Sequence, residues 1–375
     1  MATVANVTVL AQLHRLTYRC HTDTQTCRLK HMTDTTASTL DTKTLTGQRN
    51  GPYRSFNPVS RTQIWQWCAA MGDNNPLYHD EAYRRGAGLE RPVAPPAMMQ
   101  MWTMRDVNMQ FAPGSTEAPP YAVFDVLAAQ GYAANVAVSY DICFHRLLEE
   151  GDSAHHFTTI ESISALKKTA VGDGYFVVEH AEYFDQHSKL FAEARITYLQ
   201  YHPASPSPPQ PAAQAPGVAT TSGTVATAGE QQQRPAVADI HATDISAGDS
   251  LPELLIPITH KLIVSGAIAT QDFIDVHHNA PAAVAAGMPD IFMNILTTCG
   301  LAARYLSDWA GPGSRLIRLA FRLQAPNTPG DTMHLNGRVV AVETSEHGPQ
   351  TQVNFEGANS RGVHVSGSAT LLLAG

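Results

Sequence analysis

Charge is scarce in this chain: only 15% of its 375 residues are Asp, Glu, Lys or Arg, against about a quarter in ordinary soluble proteins. The little there is leans acidic, 33 carboxylates against 25 Lys and Arg, a formal net charge of −8. That balance excludes a protein whose main work is coating nucleic acid, which needs a basic face. An anionic small ligand stays possible, since a local patch suffices. No apolar run approaches the roughly 18 residues of a membrane span, so no membrane partner is expected. Cysteine is sparse and odd in number: Cys20, Cys27, Cys68, Cys143 and Cys299. The set offers neither a disulfide framework nor a zinc knuckle, and reads as the reduced thiols of a cytoplasmic protein. The apolar residues Val4, Val7, Val9 and Leu10 are interrupted by Asn6 and Thr8, which is no secretory signal.

Aromatics are missing altogether from one long stretch. No Phe, Tyr or Trp occurs between Tyr201 and Phe273, and from Pro203 to about Asp249 the chain is mostly Pro, Ala, Gln, Thr, Ser and Gly. Such a tract cannot bury enough surface to offset its ordering entropy. Residues 203–250 are therefore expected to be a disordered linker, and residues 1–48, rich in Thr, Asp, Gln and Lys, a disordered leader. Two domains remain, 49–202 and 251–375.

The C-terminal domain is apolar on every side from Asp290 to Trp309, the pattern of a buried helix. Three alternating runs follow, Ile317–Leu323, Met333–Ala341 and Val363–Leu371, each reading as an antiparallel strand with one face in and one out. The N-terminal domain repeats the order. Ile64–Met71 reads as helix, Asp73–His79 as a turn and Ala94–Val107 as a short Met-rich helix, with strands at Val136–Phe144, His156–Ser164, Tyr175–Phe184 and Ala192–Tyr201. The expected class is α+β: two units repeated at a period of about 200 residues, each an antiparallel sheet wrapped round a central helix.

Each unit carries a polar motif just before its central helix. The first is Gly72-Asp73-Asn74-Asn75-Pro76-Leu77-Tyr78-His79, then Arg91-Pro92-Val93-Ala94. The second is Gln271-Asp272-Phe273-Ile274-Asp275-Val276-His277-His278, then Ala286-Gly287-Met288-Pro289-Asp290-Ile291-Phe292-Met293-Asn294. With 17 histidines in the chain, an Asp five residues before a His will also arise by chance. At Asp73 and His79 a plain turn opened by Asn75-Pro76 is the leading reading.

Taken together, the motifs resemble the MaoC-like hydratase family of the hot-dog fold, with its Asp-x-Asn-Pro-x-His, small-residue run and glycine before the central helix. The resemblance covers both units. The C-terminal strings are similar to hydratases of steroid side-chain degradation. It implies a 2-enoyl-CoA hydratase, adding water reversibly to an α,β-unsaturated acyl-CoA, on a bulky acyl group such as a steroid side chain. It implies no cofactor, CoA being part of the substrate. The family spacing of five is kept by Asp272 and His277; Asp73 and His79 are six apart, with Tyr78 where the His should fall. Asp272 and His277 are therefore the expected catalytic pair, His277 taking a proton from water and Asp272 holding that water. Gly287 is the expected oxyanion donor through its backbone N–H. Asp73, Asn75 and His79 form a degenerate motif, and Met98, Met101 and Met104 are candidate walls of the acyl pocket. Partners are expected to be the acyl-CoA and a second copy, a homodimer. The alternatives are a hot-dog thioesterase, with Asp290 as the acid on the central helix, and a non-catalytic acyl-CoA-binding subunit of a hydratase complex.

Overall fold

Period-two alternation becomes sheet. The computed structural model describes residues 44–169, 171–203 and 238–374. In the N-terminal half, β1 (Arg49–Arg54) is followed by α1 (Arg61–Met71), α2 (Pro76–His79), α3 (Glu81–Gly86) and α4 (Ala122–Ala129). Then come β2 (Ala134–Phe144), β3 (Ala154–Ile163), β4 (Lys167–Thr169), β5 (Gly172–Asp185) and β6 (Leu190–Pro203). The C-terminal half runs β7 (Ser250–Ile258), α5 (His260–Ala269), α6 (Ala280–Ala285), α7 (Ile295–Ala310), β8 (Arg315–Leu323), β9 (Asp331–Ser345), β10 (Gly348–Asn359) and β11 (Gly362–Leu372). The strands form one antiparallel sheet in the order β1-β3-β5-β6-β2-β8-β11-β10-β9-β7, with β4 on β5. Each half contributes the same internal order, and the halves meet at β2 and β8, where Tyr140 faces Phe321 and Asp141 faces Ala320.

The expected wrapped helix is α7. Leu296, Leu301, Tyr305 and Leu306 are all buried, some against the C-terminal sheet and some against the other half. Contact with α1 is close: a Cβ on Gly300 would stand 2.9 Å from both Met71 Sδ and Trp67 Cζ2. The helix starts later than Asp290, at Ile295, because Asn294 caps it, its side chain accepting from Thr297 N.

The N-terminal central helix departs further from expectation. Ala94–Val107 forms only two 3₁₀ turns, Pro96–Met98 and Met101–Thr103. Asp106 explains the end of the run: its Oδ1 accepts from the amides of Asn108 and Gln110, both at 2.9 Å, a local turn that competes with helix. Met98 and Met101 are enclosed by protein and Met104 is half-buried, so the first two fill core rather than line open space. Two boundaries also move. Gly47 N donates to Ile160 O, so ordered contacts begin before residue 49. On the other side Ile240 N donates to Ala310 O, and Ala242 and Ile245 pack on the core, so the expected linker stops short of residue 250. The remainder of the expected leader and linker lies outside the described residues.

Two buried histidines give the fold a pH dependence. His364 Nδ1–H donates to Ala325 O at 2.7 Å and its Nε2 accepts from the Thr298 hydroxyl at 2.9 Å; burial lowers its pKa from 6.5 to about 4. His156, between the rings of Tyr53 and Tyr183, is lowered to about 3, again by burial first. The unfolded chain takes up these protons near pH 6.5, whereas the folded protein refuses them. Their contribution is complete above pH 6.5 and is lost as pH falls toward the folded values. His156→Phe should therefore flatten the decline of unfolding free energy between pH 6.5 and 4.5 by up to about 1.4 kcal/mol per pH unit, measured by urea titration; an unchanged slope refutes the assignment. A second expectation follows from the shared sheet. Phe321→Ala should cost about 3–5 kcal/mol and lower one cooperative transition seen in both halves. Two separate transitions in the parent protein would show that the halves fold independently.

Candidate active site

Both motifs begin with the same piece of backbone. Helix α1 ends at Gly72 in the left-handed region, φ 65°, and Asp73 N returns to Cys68 O at 2.9 Å. Helix α5 ends likewise: Gln271 has φ 58° and Asp272 N returns to Ala267 O at 2.9 Å. The copies stay in step at an offset of 199 residues (272 minus 73). In each, a left-handed residue turns the chain so that an Asp side chain points back into the protein, and both aspartates are buried.

The next residues diverge. Ile274 opens a 3₁₀ turn, Asp275–His277, that buries His277. Its Nδ1 lies 2.7 Å from Phe292 O. A carbonyl can only accept, so Nδ1 carries the proton and Nε2 is the basic nitrogen. Nε2 faces Asp272 Oδ2 at 3.6 Å, beyond direct hydrogen-bond length. Asp272 Oδ1 is buried and has no hydrogen-bond partner, a state that costs about 1–3 kcal/mol. The structure thus brings the expected pair together with a basic nitrogen and a carboxylate oxygen side by side.

In the first copy Tyr78 takes the buried place of His277, and His79 corresponds to His278. His79 is exposed, and its Nε2 meets the backbone carbonyl of Asp73 at 3.0 Å, not the carboxylate. Asn75 caps α2 through Leu77 N and donates its own N–H to Asp73 Oδ1 at 3.0 Å. Burial pushes the Asp73 carboxyl up, with the Asn75 amide pulling the other way. Beside it lies a cavity of about 50 Å³ whose walls include Trp67, Asp73, Tyr78, Ala97 and Ala303. It is too small for an acyl chain. A wider trough of about 870 Å³ crosses the outer face of the β2–β8 seam, and neither motif lines it.

Gly287 is corrected by the structure. It lies eight residues before α7, closing α6 with φ 86°. Its N–H already donates to Val284 O at 3.0 Å, and Met288 N returns to Ala283 O at 3.0 Å. Gly88 makes the same pair of bonds, to Arg85 O and from Leu89 N to Arg84 O, in the copy without the His. The glycine is a helix C-cap required by the fold, and its amide is not available to an oxyanion. Asp290, the acid of the thioesterase reading, also lies outside α7, bonded to Ile291 N and to His260.

Known proteins can be set beside this geometry. Residues 45–194 match the family described as FAS1-like, dehydratase domain region. A Thermomonospora curvata protein named "Probable enoyl-CoA hydratase alpha subunit" is 39% identical over 152 residues, 40% of this chain and 48% of that protein. The chain therefore spans about half the length of that relative. The Mycobacterium tuberculosis "3-oxo-4,17-pregnadiene-20-carboxyl-CoA hydratase beta subunit" is 43% identical over 124 residues, 33% of this chain and 93% of that protein. In fold, a solved structure described as a MaoC-like dehydratase superposes with a TM-score of 0.62 at 18% identity, covering 89% of this chain and 99% of the other.

The corrected glycine yields its own test. Gly287→Ala should lower stability by about 1 kcal/mol, the cost of a left-handed alanine, because its Cβ would meet nothing within 4 Å. Any enoyl-CoA hydration should stay within about twofold of that of the parent protein. A loss of turnover by more than tenfold with unchanged stability would restore a direct catalytic role.

Proposed function

The chain belongs to the MaoC-like hydratase/dehydratase family of the hot-dog fold, and on that premise we propose that it is a 2-enoyl-CoA hydratase with one working site, in its C-terminal half. The observation that carries this reading is the buried face-to-face placement of His277 Nε2 and Asp272 Oδ2. Water between these atoms would give one hydrogen to Nε2 and a second hydrogen bond to the carboxylate. As its oxygen bonds to the β-carbon, the proton moves to His277, whose charge is met by Phe292 O and by Asp272. The pair then returns a proton to the α-carbon, so that one water is added in total. Charge that builds on the thioester oxygen is met by the N-terminal turn of α7, where the amides of Ile295 and Leu296 have no intrahelical acceptors. The acid, base and dipole are all supplied by the chain, and the proposed reaction calls for no cofactor.

Relatives named as alpha and beta subunits match lengths close to the two halves. We read the chain as carrying both kinds of half in one polypeptide, the first walling the site built by the second. Association of two such chains is a separate proposal, checked by light scattering. The acyl group is proposed to be bulky, such as a steroid side chain. This rests on the pregnadiene-carboxyl-CoA named for one relative.

Asp272→Asn and His277→Ala should each lower kcat at least ~10²-fold, within the range for acid/base groups, with folding intact. His79→Ala should cost little. Loss of activity in His79→Ala alone would transfer the chemistry to the first motif. For the acyl group, loss of conjugated thioester absorbance should give a higher kcat/KM for a ring-bearing enoyl-CoA than for crotonyl-CoA. A preference for crotonyl-CoA of tenfold or more, about 1.4 kcal/mol, would refute the bulky substrate and leave the hydratase standing.

A further inference from the structure

The two members of the pair come from separate segments, and something must hold them in register. His277 is tied through Nδ1 to Phe292 O. Asp272 is presented by the end of α5, two residues after Thr270. Asn294, two residues after Phe292, spans the gap. Its Oδ1 accepts from Thr297 N at 2.7 Å, and its Nδ2 donates to Thr270 Oγ1 at 2.9 Å. The Thr270 hydroxyl in turn donates to Gly266 O or Ala267 O, at 2.9 and 3.2 Å. Ala267 O is the same carbonyl that receives the Asp272 amide. Thr270 is fully buried and Asn294 is 3% exposed, so water does not compete for these bonds.

We propose that Asn294 is a positioning residue for the Asp272–His277 pair, acting through Thr270. The inference rests on the hydratase reading and deepens it. A helix cap needs only an acceptor, for which Ser, Thr or Asp serve as well as Asn. Bonding Thr270 Oγ1 while that hydroxyl is committed to the α5 carbonyls needs a donor on the same side chain, and the amide has one. The first copy supports the link to chemistry. It keeps the left-handed turn, the buried Asp and the glycine cap, but at the corresponding positions it has Met71 for Thr270, Pro95 for Asn294 and Tyr78 for His277. Every part of the bridge is present in the copy with the His and absent from the copy without it.

The test uses the full chain. Asn294→Ser keeps a capping oxygen and is too short to reach Thr270; Thr270→Val removes the hydroxyl with little change of shape. Each should lower kcat about tenfold, as small misplacements of reacting groups do, with KM within twofold and the protein still folded, though less stable for the buried group left unpaired. The double variant should be no worse than either single one, since both remove one bond. A second readout needs no substrate. Imidazole ¹⁵N shifts of His277 should report the Nδ1–H tautomer in the parent protein and a mixture in Asn294→Ser. Multiplicative losses in the double variant, or an unchanged tautomer, would overturn the proposal. A parent enzyme that hydrates no enoyl-CoA would refute the hydratase reading, and the tautomer measurement would still decide whether Asn294 positions His277.

Discussion

Five residues of β2 paired with five of β8, Ser139–Cys143 against Arg318–Arg322, turn two half-sheets into one. Without this pairing each half would end in an unpaired edge strand, a row of exposed N–H and C=O groups. Inside the seam Tyr140 and Phe321 meet edge to face at 6.0 Å. Outside it Arg318 grips Asp141 with two bonds of 2.8 and 2.6 Å. The outer pair is exposed and contributes little; the hydrogen-bonded ladder and the buried rings hold the joint. The seam also brings α1 against α7, and so explains why α7 is buried along most of its length: one side serves its own sheet and another serves its neighbour's helix.

Within that joined frame the two copies share a stretch of backbone from the left-handed turn to the glycine cap and part company after it, where only the second builds a full central helix, α7. Each has a left-handed turn, a buried Asp, a short turn and a glycine-capped helix in the same sequence. Within that stretch a few side chains differ. A buried imidazole tied to a backbone carbonyl in one copy is a buried phenol in the other, where burial and the nearby Asp73 raise the Tyr78 hydroxyl well above its ordinary pKa. A phenol held so firmly in its neutral form cannot serve as a base near neutral pH.

Much of this was legible in the sequence. The strands at 134–144, 154–163, 172–185 and 190–203 announce themselves through alternation of large apolar and polar residues, and the repeat through its two polar motifs. β10 was not anticipated, because its inward residues Thr351, Val353, Phe355 and Gly357 include a hydroxyl and a glycine that blur the period. β7 was hidden for a related reason: Pro252 and Pro257 punctuate it, and prolines tolerated on an edge strand read as loop in isolation. The Asp272–His277 pair could be singled out only through the resemblance, because it keeps the family's spacing of five where Asp73 and His79 do not. Gly287 was misassigned because a glycine ahead of a helix and a glycine behind one look alike along the chain; only the bonds of Val284 and Met288 tell them apart. The role of Asn294 had no signal beyond cap propensity, since its second bond crosses 24 residues to Thr270.

The residue ahead of each aspartate separates the two histories. In the copy without the buried histidine it is Gly72, which adopts a left-handed turn at no steric cost. In the copy with the histidine it is Gln271, which adopts the same turn at a cost of about 1–2 kcal/mol. One backbone solution is used twice in the chain. The copy without the buried histidine has the relaxed residue and the copy with it a strained one, the arrangement found where surrounding structure fixes a local geometry. A single backbone angle at residue 271 therefore sets the half that carries the buried histidine apart from the half that does not.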